Sequence, residues 1–308
     1  MDKQQSSASK TDIVMAHSAV GGNWHTIVEG IAQILRADIP DVSFTVTPGS
    51  GEGNLARLNT GDIDIGMSTN TSAREAWAGE GSFKEPLKNI RGITQLYTAY
   101  VQFIISDKIG INSIADIKEK QYPIRISVHT RGSGIETTAK RTLELYGITY
   151  EDIEKWGGKV VFVGSNEAAS MMADGQLDAY FGFSAAPIKN FTELELNHTF
   201  KVLPIDEPVA KQLEEKYGYP LGNIPAGVYK SVTSEIPTIT EAAGLYTRAD
   251  VPEDIIYKVT KSLIEHRQEL GGIHAQLKKL TPEMMPKDLG VPLHPGAEKA
   301  YREAGILK

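Results

Sequence analysis

Apolar runs of strand length alternate with amphipathic stretches of helix length along nearly the whole chain. Residues 12–17 (DIVMAH) predict a buried strand. The apolar positions Ile27, Ile31 and Leu35 that follow have helical spacing, and residues 42–46 predict the next strand. Strand, helix and strand in this order imply parallel pairing through crossover helices. The pattern therefore predicts an α/β fold.

The same alternation continues to the end of the chain. Further strands are predicted at 63–67, 101–106, 125–128, 160–163, 177–183 and 201–205, and further helices at 136–146, 166–173, 210–217 and 252–269. Three Gly-rich turns join a strand end to a helix start. Ligands of open α/β sheets bind beyond the carboxyl ends of the strands, so these turns are candidate binding loops.

The length of 308 residues suits two domains. The crossing points near Val101 and Pro208 predict one discontinuous lobe, residues 11–103 with 208–308, and a second lobe, residues 104–207. A ligand cleft is expected between the lobes. Residues 1–10 are polar and are expected to be a disordered leader. Such a leader is what remains after removal of a signal peptide, or it is a frayed terminus.

Composition narrows the classes of function. Hydrophobic residues are 41% and charged residues 23% of the chain, which is ordinary for a globular protein. The net charge of -7, without a basic cluster, argues against a nucleic-acid partner. The absence of cysteine excludes disulfides, thiolate metal sites and a cysteine nucleophile, and it leaves a cytoplasmic or a periplasmic location open.

The first Gly-rich turn contains Gly22, Asn23, Trp24 and His25. Glycine lets the backbone approach a ligand closely, and the helix behind the turn offers N–H groups. Trp24 could cover the flat or apolar part of a bound molecule. The alternative is a tight turn with Trp24 buried in the core.

The second Gly-rich turn is GSGEGN, in which Ser50 and Asn54 are candidate donors to an anion or a carbonyl group. Asn54 stands where a dinucleotide fingerprint has its third glycine, and no Gly-Lys-Ser/Thr follows. Neither nucleotide motif is therefore present. A purely structural turn is the alternative.

The third turn, TRGSGI, gives the sharpest signal, because a strand ends directly before it and a helix begins directly after it. The backbone N–H groups of Ser133, Gly134 and Ile135 are expected to converge at the positive end of the helix dipole. Arg131 adds a planar fork of donors that suits a carboxylate. In the alternative, Arg131 is a solvated loop residue and Ser133 is only an N-cap.

Weaker candidates lie at the ends of predicted strands. Ser68 and Asn70 follow one buried strand, Tyr97 lies near the start of the crossing strand, and Phe181 and Ser184 end another. The alternative for the aromatic residues is a place in the hydrophobic core.

Signatures of enzymes are missing. The chain has no Gly-x-Ser-x-Gly elbow, and its seven histidines show no metal-binding spacing. His17 lies on a predicted core strand and is expected to be a buried histidine with its hydrogen bonds satisfied. We therefore expect no catalytic residue, no metal ion and no cofactor.

The ordered set of motifs resembles the TAXI-type solute receptors of tripartite ATP-independent periplasmic (TRAP) transporters, from about Thr11 to Leu307. The matching stretches are GGNWH, GSGEGNL, LNTGDIDIG, LYTAYVQFII, SIADIK, TRGSGIETTAKRTLELYGI, MMADGQLDAYFGFSAAP, IPAGVYK, DIIYKVTKSLIEHRQEL and PLHPGAEKAYREAGI.

The resemblance implies a two-lobed periplasmic binding protein of type II. Such a receptor binds a small organic carboxylate and delivers it to a membrane-embedded permease, which would be its partner, and it is expected to be monomeric and periplasmic. Departures from the family pattern at residues 23–25, 51–53 and 135 argue against assuming glutamate as the ligand. Two alternatives remain: an enzyme on the same scaffold acting on a small cyclic acid, and the ligand-sensing domain of a regulator.

Overall fold

The computed structural model describes residues 11–18, 20 and 23–308. The leader at residues 1–10 and the predicted site residue Gly22 lie outside the described residues. The strands are β1 (Thr11–Ala16), β2 (Val42–Thr47), β3 (Ile65–Thr69), β4 (Ile90–Ser106), β5 (Arg125–Ser127), β6 (Lys159–Val161), β7 (Ala179–Ser184), β8 (Phe200–Leu203), β9 (Leu221–Ile224) and β10 (Ile236–Arg248). This alternating arrangement confirms the α/β class.

The helices occupy the segments between the strands and the end of the chain. They are α1 (Asn23–Asp38), α2 (Gly51–Thr60), α3 (Asn70–Ala78), α4 (Ala115–Glu119), α5 (Gly134–Leu145), α6 (Tyr150–Lys155), α7 (Ser165–Ala173), α8 (Lys189–Leu194), α9 (Glu207–Tyr217), α10 (Glu253–Glu265), α11 (Arg267–Ile273) and α12 (Pro295–Glu303).

The chain divides into two compact units. Unit one contains the described residues up to Tyr97 together with Ala242–Lys308, and unit two is Thr98–Glu241. These bounds differ from the lobes expected at 11–103 with 208–308 and at 104–207. Both changes of unit fall inside long strands, β4 and β10. Each boundary lies within a strand, so no turn or loop in the sequence marks where one unit ends.

The sheet of unit one is built on three parallel strands. β1 pairs with β2 and with β3 in parallel, and β10 pairs with β3 in antiparallel orientation, with Ala243 opposite Thr69. Helix α1 buries one apolar face that includes Ile27, Ile31 and Leu35. Because the three parallel strands run in one direction, their carboxyl ends lie at the same edge of the sheet.

The sheet of unit two mixes orientations. β7 pairs with β4 in antiparallel orientation and with β5 in parallel, and β6 continues the parallel pairing beyond β5. β8 pairs with β4. Aromatic side chains fill the core beside it, and Tyr229 crosses the core: its hydroxyl donates to Gln102 Oε1 at 2.7 Å and accepts from the N–H of Ile188 at 2.7 Å.

Helix α12 packs closely on α10 in unit one because Gly296 has no side chain. A Cβ atom at Gly296 would overlap the carbonyl oxygen of Glu253 and lie 2.7 Å from the backbone nitrogen of Tyr257. Both of those atoms belong to the backbone, so they cannot move aside as a flexible side chain would. The position therefore tolerates only glycine.

We predict that Gly296→Ala lowers the free energy of unfolding by about 1–3 kcal/mol, because the added methyl group overpacks this contact. Urea unfolding followed by circular dichroism measures the change. Gly272→Ala is the matched control, since a Cβ at that helical glycine meets no atom within 4 Å. Equal loss of stability in both variants would contradict the account of the helix contact.

Candidate ligand-binding site

Three helices of unit one begin at the edge of the sheet where β1, β2 and β3 end. α1 begins at Asn23, α2 at Gly51 and α3 at Asn70. The first N–H groups of each helix have no acceptor within the helix, and the helix dipole places partial positive charge there. This edge is therefore suited to a polar or anionic ligand.

Asn54 joins two of the strand ends at this edge. Its side chain is fully buried, and Nδ2 donates to the carbonyl oxygens of His17 at 3.0 Å and Met67 at 2.9 Å. Its Oδ1 atom is buried without a hydrogen-bond partner and lies against Gly49, where a Cβ would overlap it. The expected donation from Asn54 to a ligand is wrong, because the backbone of the protein takes up both N–H groups.

The hydroxyl groups predicted for the second turn also bind the protein. Ser50 is the N-cap of α2 and accepts from the N–H of Gly53 at 3.2 Å, and the residue is exposed. Ser68 is fully buried and donates to the carbonyl oxygen of Gly51 at 2.9 Å. Ser68 therefore fixes the turn, and Ser50 remains at the surface where a solute can reach it.

Trp24 is held in a defined orientation beside the second turn. Its Nε1 donates to the hydroxyl of Tyr97 at 2.8 Å, and Tyr97 is buried on β4. A Cβ atom on Gly51 would lie 3.5 Å from the Trp24 ring. Trp24 is half-buried rather than a core residue, so an indole surface held by the bond to Tyr97 lies beside the N-terminus of α2.

The rings of His17 and His25 stack on each other. Their centroids are 4.5 Å apart and the planes are inclined by 29°. His17 is 3% exposed, and burial lowers its pKa below the ordinary value. The expectation of a buried His17 is confirmed. The expectation that its hydrogen bonds are satisfied is wrong, because Nδ1 is buried without a partner.

Asn70 and Asn23 have different surroundings. Asn70 is 5% exposed, and its Oδ1 accepts from the backbone N–H of Ala242 at 2.9 Å. It therefore connects the start of α3 to β10 through its side-chain oxygen. Asn23 is exposed at the first position of α1.

In unit two, some backbone N–H groups of the turn after β5 already donate hydrogen bonds within the turn or to Glu136. Ser133 is the N-cap of α5: its Oγ accepts from the N–H of Glu136 at 3.2 Å, and its own N–H donates to Thr130 O at 3.1 Å. The N–H of Gly132 donates to Glu136 Oε2 at 3.2 Å. The predicted convergence of amides at Ser133 is therefore wrong for that residue, whereas Gly134 is exposed and Ile135 is half-exposed.

Arg131 lies at the rim of a hollow in unit two. Its guanidinium carbon is 3.7 Å from the centre of the Phe162 ring, a stacking contact that holds the fork of donors flat. The residue lines a cavity of about 650 Å³ together with residues of α5, Tyr150 and Tyr217. Within the described part of the chain, no carboxylate lies within ion-pair distance of Arg131. Arg131 is therefore not ion-paired, although Glu136, Glu144 and Glu151 line the same cavity.

Phe181 and Ser184, the two predicted site residues on β7, differ in their exposure to solvent. Phe181 is completely buried and packs edge-on against Phe103, with ring centroids 6.2 Å apart. Phe181 is therefore a core residue, which is the alternative that the sequence left open, and its contact with a ligand stays a prediction. Ser184 is half-exposed, and its Oγ donates to Ala185 O at 3.1 Å.

His129 was not predicted from the sequence. It follows β5 with a left-handed φ of 69°, which is uncommon for a residue other than glycine. Its Nδ1 lies 3.3 Å from Ser133 Oγ, and burial lowers its pKa. The one sequence feature that could have indicated His129 as a site residue is its position between a strand end and a Gly-Ser-Gly turn.

Residues 11–18, 20 and 23–308 contain no group of three or more His, Asp or Glu side chains able to hold a metal ion. In the same part of the chain, no helix has both the length and the apolar character needed to cross a membrane.

A model of the NMT1-like family matches residues 15–305, which is almost the whole described chain. The chain belongs to the NMT1-like family. Among solved structures with the same fold, a TctC solute-binding protein from Polaromonas has 14% sequence identity and a TM-score of 0.56, and the match covers 96% of this chain and 96% of that one.

Two further structures share the fold with this NMT1-like protein. MatC from Rhodopseudomonas palustris, with bound malate, has 13% identity and a TM-score of 0.54, covering 97% of this chain and 99% of that one. PhnD1 from Prochlorococcus marinus, in complex with methylphosphonate, has 13% identity and a TM-score of 0.53, covering 96% and 99%. The fold is that of type II periplasmic binding proteins, as the sequence predicted.

We predict that Asn54→Ala lowers the free energy of unfolding by about 2–4 kcal/mol, because two buried carbonyl oxygens lose their donor. Chemical denaturation measures it. Asn59→Ala, at a half-exposed position of the same helix, is the control and should change stability by less than about 0.5 kcal/mol. An Asn54→Ala protein as stable as the control would show that the amide does not join the strand ends.

Proposed function

We propose that this protein is a periplasmic solute receptor that binds a small organic carboxylate and delivers it, chemically unaltered, to the permease of a TRAP-type secondary transporter of the TAXI subfamily. The observation that carries the proposal is the edge of unit one where three helices begin and where a hydrogen-bonded indole ring lies beside the start of α2. Such an edge combines donors for an anion with a surface for an apolar group.

Arg131 supports the choice of an anion. Its guanidinium is flat against Phe162 and has no carboxylate partner among the described residues. A guanidinium held in this way loses less conformational freedom on binding than a mobile one. Its planar fork matches the two oxygens of a carboxylate. The solute is therefore expected to carry at least one carboxylate.

The solved structures of the same fold support the same class of ligand. MatC holds malate and PhnD1 holds methylphosphonate, and both of these ligands are anions. The order of short motifs along the chain, from the GGNWH loop to the terminal PLHPG segment, supports the TAXI subfamily and hence a TRAP permease as partner.

We assign two groups of residues to solute recognition. The residues proposed to contact the solute are exposed or half-exposed residues of the predicted loops: Asn23, Trp24, His25, Ser50, Arg131, Gly134, Ile135 and Ser184. Gly22, which lies outside the described residues, is proposed with them. The residues proposed to position those loops are buried or bonded to the backbone: Asn54, Ser68, Asn70, Tyr97 and Ser133.

We predict that one or more acids from a panel of malate, glutamate, benzoate and indole-3-acetate raises the melting temperature. A ligand at a hundredfold its Kd adds about 2.7 kcal/mol to the free energy of unfolding. Differential scanning fluorimetry detects the shift, and mass spectrometry of the recovered acid checks that it is unaltered. A panel without any shift counts against a carboxylate receptor, and a changed mass points to an enzyme.

The role of Arg131 is tested with the acid that gives the largest shift. Arg131→Gln should weaken binding by about tenfold to a hundredfold, which corresponds to the loss of a charge-assisted hydrogen bond of about 1.5–3 kcal/mol. Lys189→Gln removes a charge from an exposed position of unit two and serves as the control. Isothermal titration calorimetry measures both. Equal affinities in the two variants would remove Arg131 from the site.

The role of Trp24 is tested by fluorescence. Binding of a solute beside the indole should change the tryptophan emission of the wild-type protein. We predict that this change is lost in Trp24→Phe and retained in Trp77→Phe, whose indole packs under Lys88 in unit one. A signal that survives in Trp24→Phe would place the solute away from this ring.

A further inference from the structure

The stacked pair His17–His25 includes a buried ring nitrogen that protein stability does not explain. His17 follows the last residue of β1, and its N–H donates to Thr47 O at 3.2 Å while its carbonyl oxygen accepts from Asn54. The backbone on both sides is thus fixed. The ring is then placed against His25 at the start of α1.

The buried Nδ1 atom of His17 has no hydrogen-bond partner. A buried polar atom left in this way costs about 1–3 kcal/mol, and such atoms are rare enough in folded proteins that each calls for a reason. A phenylalanine or leucine would fill the same space without that cost. The imidazole therefore offers a buried nitrogen that can bind a further group.

The electrostatic surroundings limit the pair to one proton. The charged or titratable groups that act on His17 in the described structure are His25, which opposes protonation, and Glu29 of α1, which favours it. Two imidazolium rings at 4.5 Å would repel each other. Burial also lowers the pKa of His17 below its ordinary value, which disfavours a proton on that ring when no ligand is bound.

We propose that the His17–His25 pair binds an anionic group of the solute and takes up one proton as it does so. The inference rests on the proposed function and specifies the solute as an acid bound in its ionised form. In this binding step, a neutral imidazole takes up one proton from solvent and becomes an imidazolium paired with the carboxylate of the solute. Solute and proton are captured together, and the site gains no net charge.

Affinity must then depend on pH with a defined sign. An anion beside the pair favours the imidazolium and raises its pKa in the bound state. Below the pKa of ligand-free His17, both the free and the bound protein carry the proton and the affinity is constant. Above that pKa only the bound protein carries it, so the affinity falls by up to about tenfold for each pH unit until the pKa of His17 in the complex is passed.

The experiment is calorimetric titration with each acid of the panel from pH 5.5 to 8.5, repeated in phosphate and Tris buffers. The difference in heat between the buffers gives the number of protons taken up. We expect close to one proton per bound acid near pH 7. We expect the double variant His17→Asn/His25→Asn to take up none, and the control His198→Asn to match the wild type.

A second measurement uses the unmodified protein and therefore does not depend on the variant folding. Diethyl pyrocarbonate labels neutral imidazoles, and tryptic cleavage yields one peptide, residues 11–36, that contains only His17 and His25 as histidines. A bound acid should protect this peptide from labelling. The peptide of residues 190–201, which contains only His198, should be labelled to the same extent with and without acid.

The outcomes separate the two proposals. If an acid binds with constant affinity across this range and without proton uptake, the histidine pair is not its anion site, while the receptor proposal stands. Unchanged proton uptake in the double variant, or equal labelling of residues 11–36 with and without acid, leads to the same conclusion. If no acid of the panel binds, both proposals fail.

Discussion

The side-chain amide of Asn54 connects the carboxyl ends of β1 and β3, and the candidate site of unit one depends on that connection. Its two N–H groups reach the carbonyl oxygens of His17 and Met67. The residue after Met67 is Ser68, whose hydroxyl fixes Gly51. One buried amide thus sets the position of a histidine ring, a strand end and the first residue of α2. Glycines at 49 and 66 provide the room that the side chain needs.

The periodicity of apolar residues was enough to predict most of the secondary structure. It failed where buried residues are polar. β4 was expected at residues 101–106, but the strand begins at Ile90. The prediction missed its first part because the buried polar residues Thr94 and Gln95 interrupt the apolar run. The long helix expected at 252–269 is divided at His266 into α10 and α11. No residue in that stretch is a strong helix breaker, so the division follows from packing.

The candidate loops could be recognised from their glycine patterns. Which amide and hydroxyl groups of these loops bond to the protein itself could not be predicted. Whether an amide or hydroxyl faces a ligand depends on whether a distant backbone group already binds it, as with Asn54 and Ser68. The bond between Trp24 and Tyr97 joins residues 73 positions apart. Local sequence contains no trace of such a partner, nor of the unpaired nitrogen of His17.

The discontinuity of unit one has a consequence for biosynthesis. β3 obtains its neighbour β10 only when residues near Ala243 have been made, long after Thr69 leaves the ribosome. Unit two is a single continuous segment, so the ribosome completes it before it makes the last part of unit one. During translation the early part of unit one therefore presents an open strand edge, which is prone to wrong pairing. Folding that is delayed until β10 has been made avoids this exposure, because β3 then pairs with β10 at once.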